Sequence, residues 1–255
     1  MQERDQVLDF WNGRAELVER AGTNDLVAKK LEIANIARHI DDGMRILEVG
    51  CGNGITAIEL AKRYQVEIVA VDFSEEMIKA ARHLLSGETL KGSVEFFVGD
   101  VRELPDIQGA FDAVLTERVL INLPDWEAQA QAIRDIATYL APGGRYLMCE
   151  NSMDGLEAVN DLREAAGLKR ILPPWHNQYF DEQKLRQLEV PDTTLAAVEA
   201  YSSTYYFLSR VVNAWLAAQE GKEPAYDAPV NQLALALPPM GDFGQGKLWI
   251  WQKRK

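Results

Sequence analysis

The chain has 255 residues, 47% of them apolar, and a formal net charge of −12. That length suits one domain with elaborations, and the acidic balance excludes a polyanion as the main partner, because a phosphate backbone needs a basic surface. No run of about 18 apolar residues occurs, so no membrane-spanning helix is predicted, and the expected ligand is a small molecule.

Residues 1–42 read as two helices. Val7, Phe10, Trp11, Ala15, Leu17 and Val18 give the first an apolar face, and Leu31, Ile33, Ile36 and Ala37 mark the second, over residues 26–40. Thr23 or Asn24 is placed to cap the second helix. The charged start Met1-Gln2-Glu3-Arg4-Asp5 leads into no apolar core of a secretory signal, and Cys51 and Cys149 suit a reduced compartment, so a cytoplasmic location is expected.

The first strand runs through Arg45-Ile46-Leu47-Glu48-Val49 into Gly50-Cys51-Gly52-Asn53-Gly54 and a helix from Ile55 to Arg63. Glycines at 50, 52 and 54 carry no Cβ, which leaves room for a ligand against the backbone. The helix that follows offers free N–H groups and a positive dipole end. Glu48 puts a carboxylate at the strand exit, where it would repel a pyrophosphate and accept an ammonium group. The dinucleotide pattern G-x-G-x-x-G counted from Gly50 would need glycine at 55, which is Ile55. A nicotinamide-dependent oxidoreductase is therefore the weaker alternative.

The second strand, Val66 to Asp72, is apolar up to its terminal acid, as a strand buried on both faces would be. Asp72 is placed to accept from two ribose hydroxyls, and Ser74 to cap the next helix. Phe73 and Met77 are apolar neighbours for a base. A third strand, Val94 to Gly99, precedes Asp100-Val101, and a fourth, Phe111 to Thr116, precedes Glu117-Arg118. Asp125 is a cap for a helix from Trp126 to Leu140, which Ala141-Pro142-Gly143-Gly144 should end before a fifth strand, Arg145 to Glu150. Acids at 48, 72 and 100 stand at three successive strand ends, the edge where open α/β sheets bind ligands.

The pattern Glu48-x-Gly50-x-Gly52-x-Gly54, with Asp72 and Asp100, resembles the class I S-adenosylmethionine (SAM) dependent methyltransferases over residues 44–150. The resemblance implies a Rossmann-like, seven-stranded, mostly parallel sheet with helices on both faces. The N-terminal helices would form a lid (residues 1–42), followed by the SAM-binding core (43–150) and substrate-side elements with the last strands (151–255). It implies SAM as cofactor, S-adenosylhomocysteine as product, and Asp100 as the acceptor for the adenine amino group. Val101 would turn its backbone N–H to the ring, and Thr116 and Glu117 would line the cofactor beside Gly50, Cys51 and Gly52. Trp11, Arg14 and Asn24 become lid contacts. Family members often carry a histidine where Asn122 stands, so one usual base is replaced by a neutral hydrogen-bonding group.

Beyond residue 150 a helix, Leu156 to Leu168, leads to Leu172-Pro173-Pro174-Trp175-His176-Asn177-Gln178-Tyr179-Phe180, where two prolines bar a helix. This loop, with Asn151 at the fifth strand's exit, supplies Trp175, His176 and Tyr179 as substrate-side candidates. His176 is the candidate base, and Arg118 the candidate cation for an acidic acceptor. A sixth strand (195–201) and an aromatic helix (203–219) follow, the helix adding Tyr206 and Arg210. Residues 221–246 read as a long ordered connection before a last strand, Lys247 to Gln252. Histidines at 39, 83 and 176 have no metal-binding spacing. Methyl transfer to a small molecule, preferably at oxygen, in a polysaccharide or natural-product pathway, is the expected activity. A non-catalytic SAM-binding protein is the remaining alternative.

Overall fold

A computed structural model describes residues 2–255; Met1, the first residue of the expected lid, lies outside them. The apolar strand segments build a seven-stranded sheet in the order β3-β2-β1-β4-β5-β7-β6. In chain order these are β1 (Arg45–Val49), β2 (Glu67–Asp72), β3 (Ser93–Val98), β4 (Phe111–Glu117), β5 (Leu140–Asn151), β6 (Thr193–Glu199) and β7 (Gly246–Lys253). β1 to β5 pair in parallel, and β7 runs antiparallel to both β5 and β6. The chain reverses between β1 and β4, so β1, β2 and β4 end together at the switch point where open sheets hold ligands.

Alternation along each strand divides the core. On one face Ile46, Ile68, Ala113 and Leu115 meet α2 (Leu26–Ala37), α3 (Ile55–Arg63) and α4 (Glu75–Leu85) through Ile36, Leu60 and Ile78. On the other, Leu47, Val69, Val114, Trp249 and Trp251 meet α5 (Trp126–Ala137) and α6 (Met153–Ala165) through Ile133, Ile136 and Leu156. Because side chains alternate with period two, Glu48 and Asp72 share the first face with Ile46 and Ala70.

Caps fix the helix entries. Ser74 Oγ accepts from Met77 N at 3.1 Å and Asp125 Oδ1 from Ala128 N at 2.8 Å, as expected, each worth about 1 kcal/mol. At α2 the cap is Asp25 rather than Thr23 or Asn24: Asp25 Oδ1 accepts from Ala28 N, while Thr23 Oγ1 accepts from Asp25 N. The helix after Asp125 ends at Ala137, capped by Thr138, and Pro142-Gly143-Gly144 lies inside the irregular start of β5, not at a helix end. The N-terminal α1 (Gln2–Ala15) crosses the C-terminal edge of the sheet. Past α7 (Glu182–Gln187) and β6, one continuous helical stretch passes from α8 (Ser203–Tyr206) through a π-helical segment (Phe207–Val212) to α9 (Asn213–Gln219), and α10 (Pro229–Gln232) lies in the long connection to β7.

Candidate functional site

The three glycines all adopt left-handed backbone, with φ of 73° at Gly50, 53° at Gly52 and 74° at Gly54. Their surroundings differ. A Cβ on Gly50 would strike Val119, and one on Gly54 would strike Phe96, whereas one on Gly52 would meet nothing within 4 Å. Gly52 alone therefore opens towards a ligand; the other two are required by the turn and by packing against the protein.

Above Gly52 lies a cavity of about 530 Å³, bounded by α1, α2, the ends of β1, β2 and β4, the loop after Pro174, and the helix bearing Tyr206 and Arg210. Asp72 closes one side, its Oδ2 accepting from Gly52 N at 2.8 Å and its Oδ1 from Ser74 N at 2.9 Å. Burial pushes its carboxyl up to about 6 against those two donors. Glu48 is buried beneath, with Oε2 lacking any hydrogen-bond partner. Burial first, then the charge of Glu117, pushes it up to about 8. A buried carboxyl in that state is poised for a cation.

Beside Glu48 stands a four-residue charged cluster. Lys29 Nζ donates to Glu117 Oε1, and Thr56 Oγ1 donates to Glu117 Oε2 at 2.7 Å. Arg118 lies 3.3 Å from Glu32 and 3.5 Å from Glu117. Burial pushes the Glu32 carboxyl up. Burial also opposes ionisation of Glu117, but Lys29 and the neighbouring donors outweigh it and hold Glu117 below the usual carboxylate range. Glu117 thus faces the site as expected, while Thr116 does not. Thr116 points to the opposite face, its hydroxyl 2.9 Å from that of Tyr146 in the core.

Residues 4–18 of the lid are latched at four points. Arg4 pairs with Asp100 at 2.9 Å, Trp11 Nε1 donates to Asn122 Oδ1 at 3.2 Å, Ser74 Oγ donates to Asn12 Oδ1 at 2.6 Å, and Asn53 Nδ2 donates to the carbonyl of Val18. These latches redefine two expected ligands. Asp100 accepts from Arg4, from Arg102 N and twice from the Arg102 guanidinium, which fills the roughly four lone-pair sites of a carboxylate. In this arrangement the carboxylate expected to meet adenine borders the cavity while paired with Arg4 and Arg102. Asn122 is likewise committed: its amide donates to the carbonyls of Arg118 and Val119 while its oxygen holds Trp11. It braces the loop rather than offering a free group.

On the substrate side, His176 packs on Phe10 at 4.4 Å between ring centroids and edge-on to Trp11 at 5.9 Å. Burial and then Arg14 push its imidazole below its ordinary range, so the ring is neutral at pH 7, and Nδ1 has no partner. Tyr179 accepts from Gln245 Nε2 at 3.0 Å. Arg210 donates to Asp25 at 2.7 Å and lies over the rings of Tyr205, Tyr206 and Tyr226. Trp175, expected to touch substrate, is 64% exposed and stands outside the cavity against Phe10 and His176. The other expected residues border the cavity, Cys51, Phe73, Met77, Val101 and Asn151 among them, as do Arg14 and Asn24.

The sequence reading missed Lys29, Glu32 and Glu150. Glu150 is fully enclosed and accepts from the backbone N–H of Val119 and Leu120 at 3.1 Å and of Ile121 at 3.4 Å, tying down the turn that carries Arg118 and Asn122. Burial pushes its carboxyl up to about 7. An acid ending an apolar strand, in parallel with Glu48 and Asp72, was the signal available for it.

Residues 46–144 match the sequence family described as a methyltransferase domain. Over those residues the chain carries that methyltransferase domain. The ubiquinone biosynthesis O-methyltransferase of Xanthomonas oryzae pv. oryzae is 31% identical over 165 residues, 64% of this chain and 63% of that protein. The ajmaline N-methyltransferase of Rauvolfia serpentina is 34% identical over 103 residues, 40% of this chain and 34% of that protein. The chain thus spans less than two thirds of the length of these curated relatives. Among solved structures, a chain of the complex between the Haloferax volcanii Trm112 methyltransferase activator and a methyltransferase superposes with a TM-score of 0.63 at 17% identity, over 95% of this chain and 96% of that one. The [4+2]-cyclase SpnF superposes with a TM-score of 0.57 at 26% identity, over 88% of this chain and 80% of that one. Both carry the methyltransferase fold found here. Among the described residues no helix is long and apolar enough to cross a membrane, and no group of three acidic, histidine or cysteine side chains could hold a metal ion.

Proposed function

We propose that the protein transfers the methyl group of SAM to a small-molecule acceptor, with oxygen as the preferred acceptor atom. The observation that carries this reading is the unpartnered Oε2 of the Glu48 carboxyl, buried at the floor of a lidded cavity between Gly52 and Asp72. A cationic amino-acid head group fits that carboxyl, and the open face of Gly52 gives it room. Glu48 would hold the cofactor's ammonium and Asp72 its ribose hydroxyls. Phe73, Met77 and Val101 would pack on the adenine, with Asp100 at its polar edge once Arg4 gives way. Relatives named for O- and N-methylation share this domain, which supports methyl transfer and leaves the acceptor atom to the site itself.

When bound, SAM supplies a methyl group already activated by its sulfonium. The chain's part is to align the acceptor and keep water out, and alignment is worth about 7–11 kcal/mol in favourable cases. His176, neutral and lining the cavity, is the candidate to take a proton from a hydroxyl acceptor. The likeness to a cyclase gives a second reading some footing: the same site could bind SAM without spending its methyl group.

Calorimetric titration with S-adenosylhomocysteine, with NADH as comparator, tests the cofactor. Micromolar binding of the former alone is expected; binding of NADH alone refutes the proposal. Transfer of labelled methyl from SAM to an acceptor separates the two readings.

A further inference from the structure

Arg118 is the side chain of the site least explained by the fold. It has φ of +56°, in the left-handed region that a long side chain rarely adopts. Such backbone is costly for a long side chain and persists where the surroundings enforce it. Here they do: Arg118 N donates to the Cys149 carbonyl at 2.8 Å, Asn122 holds the Arg118 carbonyl, and Glu150 clamps the three residues that follow. The effect is to turn the guanidinium into the cavity wall.

Once there it is poorly matched by protein. Its charged contacts among the described residues are Nε at 3.3 Å from Glu32 and Nη2 at 3.5 Å from Glu117, and Nε has no hydrogen bond of acceptable geometry. A guanidinium presents five N–H donors in a rigid fork, and an enclosed one is normally met by bidentate acceptors. Glu117 does not fill that role: its two oxygens accept from Lys29 and Thr56, and its one approach to Arg118 is the long 3.5 Å contact to Nη2. Tyr179 and Tyr206 border the cavity with Arg118, and Phe10 and Trp11 add aromatic surface from the lid.

We infer that the acceptor is a small monoanion, an aryl or similarly flat carboxylate, whose charged group lies on the open fork of Arg118. This rests on the methyltransferase reading above and adds the substrate class to it. Charge supports the single negative charge. The cluster holds two cations, Lys29 and Arg118, against Glu32 and Glu117, and burial favours the protonated form of Glu32. Within this cluster one positive charge then remains to be met, with Arg14 lining the same cavity, whereas a dianion would face Glu117 and Glu48.

The test uses the full chain saturated with S-adenosylhomocysteine and titrated with benzoate or its neutral isostere, benzamide. Benzoate should bind at least tenfold more tightly than benzamide, and added salt should erode that preference. Arg118→Asn, chosen because asparagine tolerates left-handed backbone, should still bind S-adenosylhomocysteine and lose the preference for the anion. Arg118→Lys, which keeps the charge but not the fork, should retain part of it. Equal affinity for the two probes, no saturable benzoate binding, or a preference that survives in Arg118→Asn would each overturn the inference. Failure of the wild-type chain to bind S-adenosylhomocysteine would instead overturn the cofactor assignment, so the two failures are distinguishable.

Discussion

Glu48→Gln should make the ligand-free protein more stable and the cofactor bind less well. The folded-state carboxyl sits at about 8, raised by burial and by the neighbouring Glu117 and Asp72 charges from an ordinary value of 4.5. Because the folded value lies above the unfolded one, the folded chain keeps a proton that the unfolded chain gives up. Stability is therefore lost as pH rises from the ordinary carboxylate range towards about 8. At ~1.4 kcal/mol per pH unit, the penalty at pH 7 is about 3 kcal/mol. Glutamine removes the ionisable proton and with it this penalty. In thermal unfolding, the variant's advantage should be small near pH 5 and grow to about 10 °C by pH 8, at roughly 2–4 °C per kcal/mol for a chain of this size. Binding should report the same proton. An ammonium group placed on Glu48 ionises it, so the wild type should release close to one proton per S-adenosylhomocysteine at pH 7, seen by calorimetry in buffers of different ionisation enthalpy. Glu48→Gln should release much less and bind about 10- to 100-fold more weakly, the range for a hydrogen bond to a charged group. A stability difference that does not change with pH, or unchanged affinity in the variant, would refute the assignment.

Asp72→Ala should weaken S-adenosylhomocysteine binding at least tenfold by calorimetry and also lower Tm, since Gly52 N and Ser74 N both lose their acceptor. His176→Phe keeps a ring against Phe10 and Trp11 but removes both nitrogens. Turnover should fall with cofactor affinity unchanged if the ring accepts a proton, and full turnover would reduce the residue to packing. Glu150→Gln turns an amide towards backbone donors and should lower stability by about 1–3 kcal/mol in denaturant titration. Because Glu150 acts only through the turn bearing Arg118, the variant should also lose selectivity for benzoate over benzamide more than it loses S-adenosylhomocysteine affinity.

The parts of the fold that depend on local pattern were legible. Apolar strands ending in acids, the glycine turn, and the Ser74 and Asp125 caps are each written within a few residues, and each stands where expected. Thr116 was legible in principle: alternation from Ala113 and Leu115 places residue 117, not 116, on the ligand-facing side. Arg102, two residues from Asp100, was likewise a visible rival for its carboxylate, but Arg4, 96 positions away, was not. Lys29 and Glu32 look from sequence like the polar stripe of an amphipathic helix. They become site residues because α2 lies over the end of β4, a placement set by Ile33 and Ile36 packing and not by the charges themselves.

Asp25 shows why such residues resist local reading. It caps α2 through one oxygen, and the same carboxylate accepts from Tyr205 and Arg210, 180 and 185 residues later. One short side chain thereby ties the helix that carries Lys29 and Glu32 to the π-helical segment that carries Arg210. A π-turn places one more residue than an α-turn would, and such insertions recur at functional sites. Here the extra residue brings Arg210 over three tyrosine rings while Asp25 satisfies its charge. Arg210 is thus spent on holding the cavity wall, and of the two arginines expected to meet substrate, Arg118 is the one left with donors to offer.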